Sequence, residues 1–304
     1  MSSPRRIVFL VNPIAGTRTK HGLEQFICRK CREHHIEYQI VQSTKGTTAD
    51  MLRVMLYDFK ATDLVACGGD GTVNLAAKAV MKSDVNLGII PVGSGNGLAR
   101  TAHIPVKPSK AFELLVHGRV QATDAFLVNE TFACMLSGIG MDAEVAERFS
   151  HSHRRGLVTY TTETLIQFFR SHPVQFEVQV DGHKFFTDAF FISIANSNQF
   201  GNNMTIAPLA SLSDGLLDVI IVQKMPKATL PIALLYQMRH NQKLKTLVDQ
   251  IGKKNILYFQ TPEIGIGNPN HAPLHIDGDP HPSEDLINFR ILPAAFNLWV
   301  PAAH

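Results

Sequence analysis

Several features common in other protein classes are scarce or missing in this sequence. Only four cysteines (Cys28, Cys31, Cys67 and Cys134) occur in 304 residues. That is too few to cross-link a chain of this length, so a reducing, cytoplasmic setting is expected. No apolar run approaches the roughly 18 residues of a membrane-spanning helix, so any membrane contact is expected to be peripheral. The basic start before the apolar residues 7–11 is cut short by Asn12 and Pro13, which makes it a first strand rather than a signal segment. The net charge of +3 comes without a concentrated basic stripe, which argues against a nucleic-acid partner. The phosphate-binding P-loop is absent too: Gly252-Lys253 is preceded five positions earlier by Leu247 and followed by Lys254, where glycine and Ser/Thr are required. There is no internal repeat and no low-complexity tract.

What is present is an ordinary globular mixture, 45% hydrophobic and 18% charged, long enough for two domains or one large α/β unit. Apolar β-rich runs at residues 7–11, 36–41, 64–66 and 87–91 alternate with helical patterns at 22–33, 48–59 and 73–81. That rhythm predicts a parallel sheet with crossover helices, an α/β nucleotide-type domain. After about residue 124 longer β-like runs take over, at 126–137, 174–180, 184–195, 217–222, 256–260 and 288–292, with helical patterns only around 156–171 and 227–247. A second, mostly antiparallel β-sandwich domain is expected there.

Two glycine-rich turns follow strand ends of the first part. Gly68-Gly69-Asp70-Gly71-Thr72 leads into a helix whose N-terminal N–H groups suit a phosphate, because glycine permits close backbone approach and the helix end carries partial positive charge. A tight strand-to-helix turn capped by Asp70 is the competing reading. The second turn, from Pro91 through Gly93-Ser94-Gly95-Asn96-Gly97 to Arg100, sits in the same kind of place, and Asn12-Pro13-Ile14-Ala15-Gly16-Thr17 closes the first strand. Three loops on one rim of a sheet describe a nucleotide site.

Together, Asn12-Pro13-x-x-Gly16, Gly68-Gly69-Asp70-Gly71-Thr72-Val73-Asn74 and Gly93-Ser94-Gly95-Asn96-Gly97-Leu98-Ala99-Arg100 resemble the diacylglycerol kinase and sphingosine kinase catalytic-domain family. Later segments keep that family's order: Gly138-Ile139-Gly140-Met141-Asp142-Ala143, residues 196–208, Leu212-Ser213-Asp214-Gly215-Leu216-Leu217-Asp218 and Ile276-Asp277-Gly278-Asp279. The resemblance implies an ATP- and Mg²⁺-dependent lipid kinase acting on a diacylglycerol-like or sphingoid-like hydroxyl. ATP and lipid would meet between an α/β domain and a β-sandwich. It also implies that the C-terminus returns to the first domain, giving residues 1–124 with 293–304, and residues 125–292.

The resemblance assigns nucleotide contacts to Asn12, Pro13, Ile14, Ala15, Gly16, Thr44, Gly68, Gly69, Asp70, Gly71, Thr72, Val73, Asn74 and Ser94. It places Asp70 near the γ-phosphate and Mg²⁺ as a third catalytic acid. Phosphoryl transfer needs a positioned triphosphate and a base for the acceptor hydroxyl, and Asp277 and Asp279 are the candidates, against the alternative of a turn with two solvated acids. The family usually carries glutamate at the position of Asp279. One methylene fewer draws the carboxylate back by about 1.5 Å, and displacements near 1 Å are costly to catalysis, so Asp277 is ranked ahead of Asp279 as the base. By resemblance to some bacterial members, Ser211, Asp214 and Leu216 would hold a structural Mg²⁺, using one carboxylate and backbone carbonyls.

Other patterns compete. Gly138-x-Gly140-x-x-Ala143 matches a dinucleotide fingerprint, but no second strand ending in an acid follows at the required distance. Cys28, Cys31, His34 and His35 share one helical pattern and cannot converge on one zinc. The basic residues 151–155, with Tyr160, Phe168 and Phe169 beyond them, fit either a membrane headgroup contact or a solvated helix. NAD kinase shares the Gly-Gly-Asp-Gly-Thr motif and the Asn129-Glu130 pair, yet its later Gly-Ser-Thr-Ala-Tyr pattern is missing. A catalytically silent nucleotide- or lipid-binding protein remains the rival from another class.

Overall fold

The computed structural model describes residues 5–13, 20–141, 143, 171–198, 207–226, 229, 247–250, 252 and 254–302. Of the sequence expectations, Ile14, Ala15, Gly16, Asp142, residues 151–155, Tyr160, Phe168 and Phe169 lie outside them, as does most of 227–247. The chain divides into two compact units, Met1–Thr123 with Ala294–His304, and Asp124–Pro293.

The first unit contains β1 (Arg6–Val11), α1 (Lys20–Glu33), β2 (Glu37–Gln42), α2 (Ala49–Phe59), β3 (Asp63–Gly68), α3 (Asp70–Val80), β4 (Asn86–Pro91), α4 (Gly97–Thr101) and α5 (Pro108–His117). β5 (Arg119–Val128) leads into the second unit, which continues with β6 (Thr131–Ala133), β7 (Leu136–Gly140), β8 (Val174–Val180), β9 (His183–Ala195) and β10 (Leu217–Gln223). It ends with β11 (Ile256–Thr261), β12 (Glu263–Gly267), β13 (Leu274–Ile276), β14 (Asp279–His281) and β15 (Leu286–Val300), whose last residues belong to the first unit.

In the first unit β2-β1-β3-β4 pair parallel in that order, and Asn297 and Leu298 of β15 extend the sheet, also parallel, beside β4. β1 and β3 are covered on both faces and are buried along nearly their whole length, which is why they read as unbroken apolar runs. β2 lies at the edge and mixes exposed and half-buried residues. The helices have ordinary stops: Thr48 caps α2 by accepting from Met51 N at 3.3 Å, and Lys60 ends it in the left-handed region. α3 starts three residues before the apolar periodicity does. Extended Gly69 serves as its N-cap, and the polar first turn carries no hydrophobic signal.

The second unit is an antiparallel β-sandwich, as the alternation of its runs predicts. In β8, Phe176, Val178 and Val180 enter the core, while Gln175, Glu177 and Gln179 point away from it. β10 is buried on both faces: Val219 and Ile221 join the main core, and Ile220 and Val222 join a second cluster with Phe191, Met225 and Tyr258. Each such fully buried aliphatic side chain contributes about 2 kcal/mol. One expectation fails here. Residues 126–137 form not one strand but parts of three, because Asn129 turns in the left-handed region (φ 50°) and the chain breaks again at Cys134 and Met135. Similarly, the run expected at 288–292 belongs to a strand of 15 residues.

Candidate functional site

In the first unit the chain leaves β1 toward β2 on one side, then returns to the other side for β3 and β4, so the strand order reverses between β1 and β3. The carboxyl ends at such a switch point are where open α/β sheets take ligands. The loops expected to bind nucleotide meet there. Asn12 donates its backbone N–H to Cys67 O at 3.0 Å and its side-chain amide to Thr72 Oγ1 at 3.2 Å. Ser43 N donates to Val11 O at 2.9 Å and brings the Thr44 turn alongside; there the Thr44 hydroxyl accepts from Gly46 N at 3.3 Å, so it shapes its own turn.

The glycine loops after β3 and β4 touch backbone to backbone. A Cβ on Gly93 would lie 2.4 Å from the Cα of Gly69, so no other residue fits without moving the main chain. Asn96, in the left-handed region (φ 56°), closes its own loop by accepting from Gly93 N at 3.0 Å and donating to Gly93 O at 2.8 Å. Asp70 then joins the loops, its carboxylate accepting from Gly97 N at 2.7 Å and Asn96 N at 3.0 Å. Asp70 thus caps α4, and the N-cap residue of α3, Gly69, has no side chain to offer. Gly71 and Ser94 are exposed, Asn74 and Pro13 are half-buried, and Thr72 and Val73 are buried, with their backbone N–H groups given to Gly69 O at 3.0 and 3.1 Å, so the sequence expectation of a nucleotide contact at Val73 finds neither side chain nor N–H free for it. The sequence marks Asn96 within its turn, between two glycines, but assigns it no contact of its own.

In the second unit, Asp277 (φ 50°) turns the chain between β13 and β14. Its carboxylate accepts three backbone N–H bonds, from Cys134 at 2.9 Å, Met135 at 2.9 Å and Leu136 at 3.0 Å. Asp277 N returns a bond to Leu136 O at 2.8 Å. These donors account for the break between β6 and β7. Asp279, two residues on, is exposed; its backbone pairs with Ile276 in the β13–β14 hairpin, and its carboxylate has no hydrogen bond among the described residues. Its surroundings strip it of solvation and the Asp277 charge adds to this, so its carboxyl is held above the usual aspartate range, with His275 pulling modestly the other way.

The turn at Asp214 is built differently. Asp214 accepts from Leu216 N at 3.1 Å and Gln260 Nε2 at 3.4 Å, while Gly215 N donates to Asp124 Oδ2 at 2.8 Å. Burial and the neighbouring Asp124 charge raise the Asp214 carboxyl. One carboxylate under pressure from another suits a cation. Yet among the described residues no group of three or more His, Cys, Asp or Glu side chains is placed to hold a metal. Behind the turn, buried Asp218 accepts from the Tyr258 hydroxyl and from Gln260 Nε2 at 3.1 Å, and desolvation pushes it up to about 6. Two competing readings end here. β7, which carries Gly138 and Gly140, pairs antiparallel with β9 and β13, unlike a dinucleotide-binding βαβ unit. Cys31 is buried in α1, which pushes its thiol up to about 12.

Comparison with known proteins agrees with this architecture. Residues 6–128 match the diacylglycerol kinase catalytic domain, and residues 136–300 match the YegS C-terminal NAD kinase beta sandwich-like domain. A probable lipid kinase YegS-like protein of Shewanella frigidimarina is 26% identical over 84% of this chain and 82% of its own length. A diacylglycerol kinase of Mycobacterium tuberculosis is 28% identical over 72% of this chain and 73% of its own. The crystal structure of a putative diacylglycerol kinase from Bacillus anthracis shares the fold, with a TM-score of 0.79 at 17% identity, covering 99% of this chain and 98% of that one. With both parts of the chain matched in order, the protein belongs to the diacylglycerol kinase and YegS family of lipid kinases.

Proposed function

We propose that the protein transfers the γ-phosphoryl group of ATP to a hydroxyl of a diacylglycerol-like or sphingoid-like lipid, at a membrane surface it touches without crossing. The observation that carries the nucleotide half of this reading is the meeting of the Asn12, Gly69 and Gly93 loops at the switch point of the parallel sheet. Backbone N–H groups at the start of the turn, of Gly69 and Gly71, with Ser94, hold the phosphates, and Asp70 keeps the two glycine loops in register. As the acid of that turn, Asp70 would also face a hydrated Mg²⁺ carried by the nucleotide. That ion supplies neutralising charge to the triphosphate. The Ser211, Asp214 and Leu216 turn would hold a second, structural cation.

Asp279 serves as the general base, reversing the order that side-chain length suggests. A carboxylate engaged by three N–H donors has little capacity left for a proton, which removes Asp277 from the role and makes it the anchor of the loop. Asp279 is exposed, unengaged and more basic than an ordinary aspartate. It takes the proton of the acceptor hydroxyl as the oxygen attacks the γ-phosphorus and the bond to ADP breaks.

The test is transfer of labelled γ-phosphate from Mg·ATP to a panel of diacylglycerol, monoacylglycerol, sphingosine, ceramide, phosphatidylglycerol and NAD. A labelled lipid names the acceptor class. Labelled NAD would overturn the lipid reading, and nucleotide binding without transfer to any acceptor would point to a binding protein.

A further inference from the structure

The segment that holds Asp277 is itself held from behind. Its N–H groups at Cys134, Met135 and Leu136 face the Asp277 carboxylate. Its carbonyls at Cys134 and Met135 accept from the other side: Asn196 Nδ2 reaches Cys134 O at 3.1 Å, and the backbone N–H groups of Asn196 and Ser197 both reach Met135 O, at 2.9 and 3.0 Å. The same Asn196 amide donates its second hydrogen to Asp124 O at 2.9 Å. Asp124, in turn, ties the Asp214 turn through Gly215 N and Leu212 O. One side chain, fully buried, therefore bridges the strand that carries Asp124 and the segment that carries the Asp277 clamp.

We propose that Asn196 is a positioning residue for the catalytic acid loop: its amide fixes the 134–136 segment whose N–H groups hold Asp277, and so fixes where Asp279 stands. This rests on the assignment of Asp279 as the base. The chemistry requires an amide here. Both carbonyls need a donor, and Asn196 supplies one hydrogen to each. Its Oδ1 has no hydrogen-bond partner among the described residues, so the donor side alone makes the bridge. Aspartate is the same size but presents oxygen to two carbonyl oxygens, and serine cannot span both.

The test uses the full chain with Asn196→Asp and Asn196→Ser, the second in case the first fails to fold. Gln250→Ser is the comparison: Gln250 is another buried amide of the same unit, bonded to both backbone groups of Tyr258, and it stands outside the site. Two readouts are taken. In lipid phosphorylation, kcat is expected to fall about 100-fold, as for a displacement near 1 Å, with the nucleotide KM changed by less than about threefold. In labelling by an aromatic disulfide reagent with peptide mapping, Cys134, buried in the clamp, is expected to react about tenfold faster, as local opening would allow. Buried Cys67 of the first unit should stay protected. If Gln250→Ser costs as much kcat at equal loss of thermal stability, or if Cys134 stays protected in both Asn196 variants, the proposal fails. If the wild-type protein phosphorylates no lipid, the kinase reading falls, while the thiol labelling still decides whether Asn196 holds the clamp.

Discussion

In the loop after β3, an acid holds backbone: Asp70 accepts the N–H groups of Asn96 and Gly97, and the groups left to meet a ligand are main-chain N–H and small side chains. In the loop after β13, Asp277 is likewise held by backbone, but here the group left over is a second carboxylate, Asp279. Both loops use up one aspartate to fix geometry. The first then offers donors, suited to an anion, and the second offers an acceptor, suited to a proton. An acid's position in a motif therefore says less about its role than the number of N–H groups already pointed at it.

The sharpest way to break this comparison is to remove the two neighbouring acids one at a time. Asp279→Asn should lower kcat by about 10³-fold, the usual range for a general base, with nucleotide affinity and melting temperature nearly unchanged. Asp277→Asn should instead destabilise the fold by about 2 kcal/mol, because an amide cannot satisfy the three donors. Calorimetry and steady-state kinetics on the pair decide the matter, and a stable but inactive Asp277→Asn would return the base to Asp277.

The pH profile sharpens it further. A base must be ionised to work, so kcat should fall as the pH drops through the Asp279 pKa. That pKa lies above the ordinary aspartate value because of desolvation first and the Asp277 charge second. Removing that charge lowers it. The acidic limb should therefore move to lower pH in whatever activity Asp277→Asn retains, and a limb that stays in place would mean that it reports another group.

On the first loop, Gly93→Ala places a methyl group against the Gly69 backbone. The two glycine loops must then part, and the nucleotide KM should rise about tenfold while the lipid KM holds, since the distortion is of the size that costs binding geometry. Equal rises in both constants would show general damage rather than a nucleotide site.

Much of this was legible in the sequence because backbone demands leave marks in composition. Buried parallel strands read as apolar runs, the glycine loops announced close approach, and the sandwich strands alternated. What stayed hidden was the partnering of side chains. Nothing in Asp277-Gly278-Asp279 says that N–H groups more than 140 positions earlier saturate the first acid and spare the second. The same holds for Asp70, whose partners lie in another loop, and for the break at Cys134 and Met135, which a run of apolar residues conceals. Side-chain length was a fair argument for ranking the two acids, but hydrogen-bond occupancy is the stronger one.

A third carboxylate supplies the smallest expected effect and the control for the other two. Asp63, buried at the start of β3, is also saturated, but by side chains: Arg5 Nε at 2.8 Å and its second nitrogen at 3.1 Å, the Thr62 hydroxyl at 2.7 Å, and Trp299 Nε1 at 2.6 Å. The Arg5 guanidinium also lies over the Trp299 ring, 4.5 Å from its centroid, so this cluster fastens the C-terminal strand at the edge of the sheet opposite the glycine loops. Among the described residues no second carboxylate is bonded into this cluster. Trp299→Phe keeps an aromatic face for Arg5 and leaves Asp63 three of its four bonds. It should cost about 1 kcal/mol of stability, measured by denaturant unfolding, with kcat and both KM values unchanged. A kinetic effect from this substitution would mean that a saturated carboxylate can influence turnover without a free partner at its side, and the distinction drawn between Asp277 and Asp279 would lose its basis.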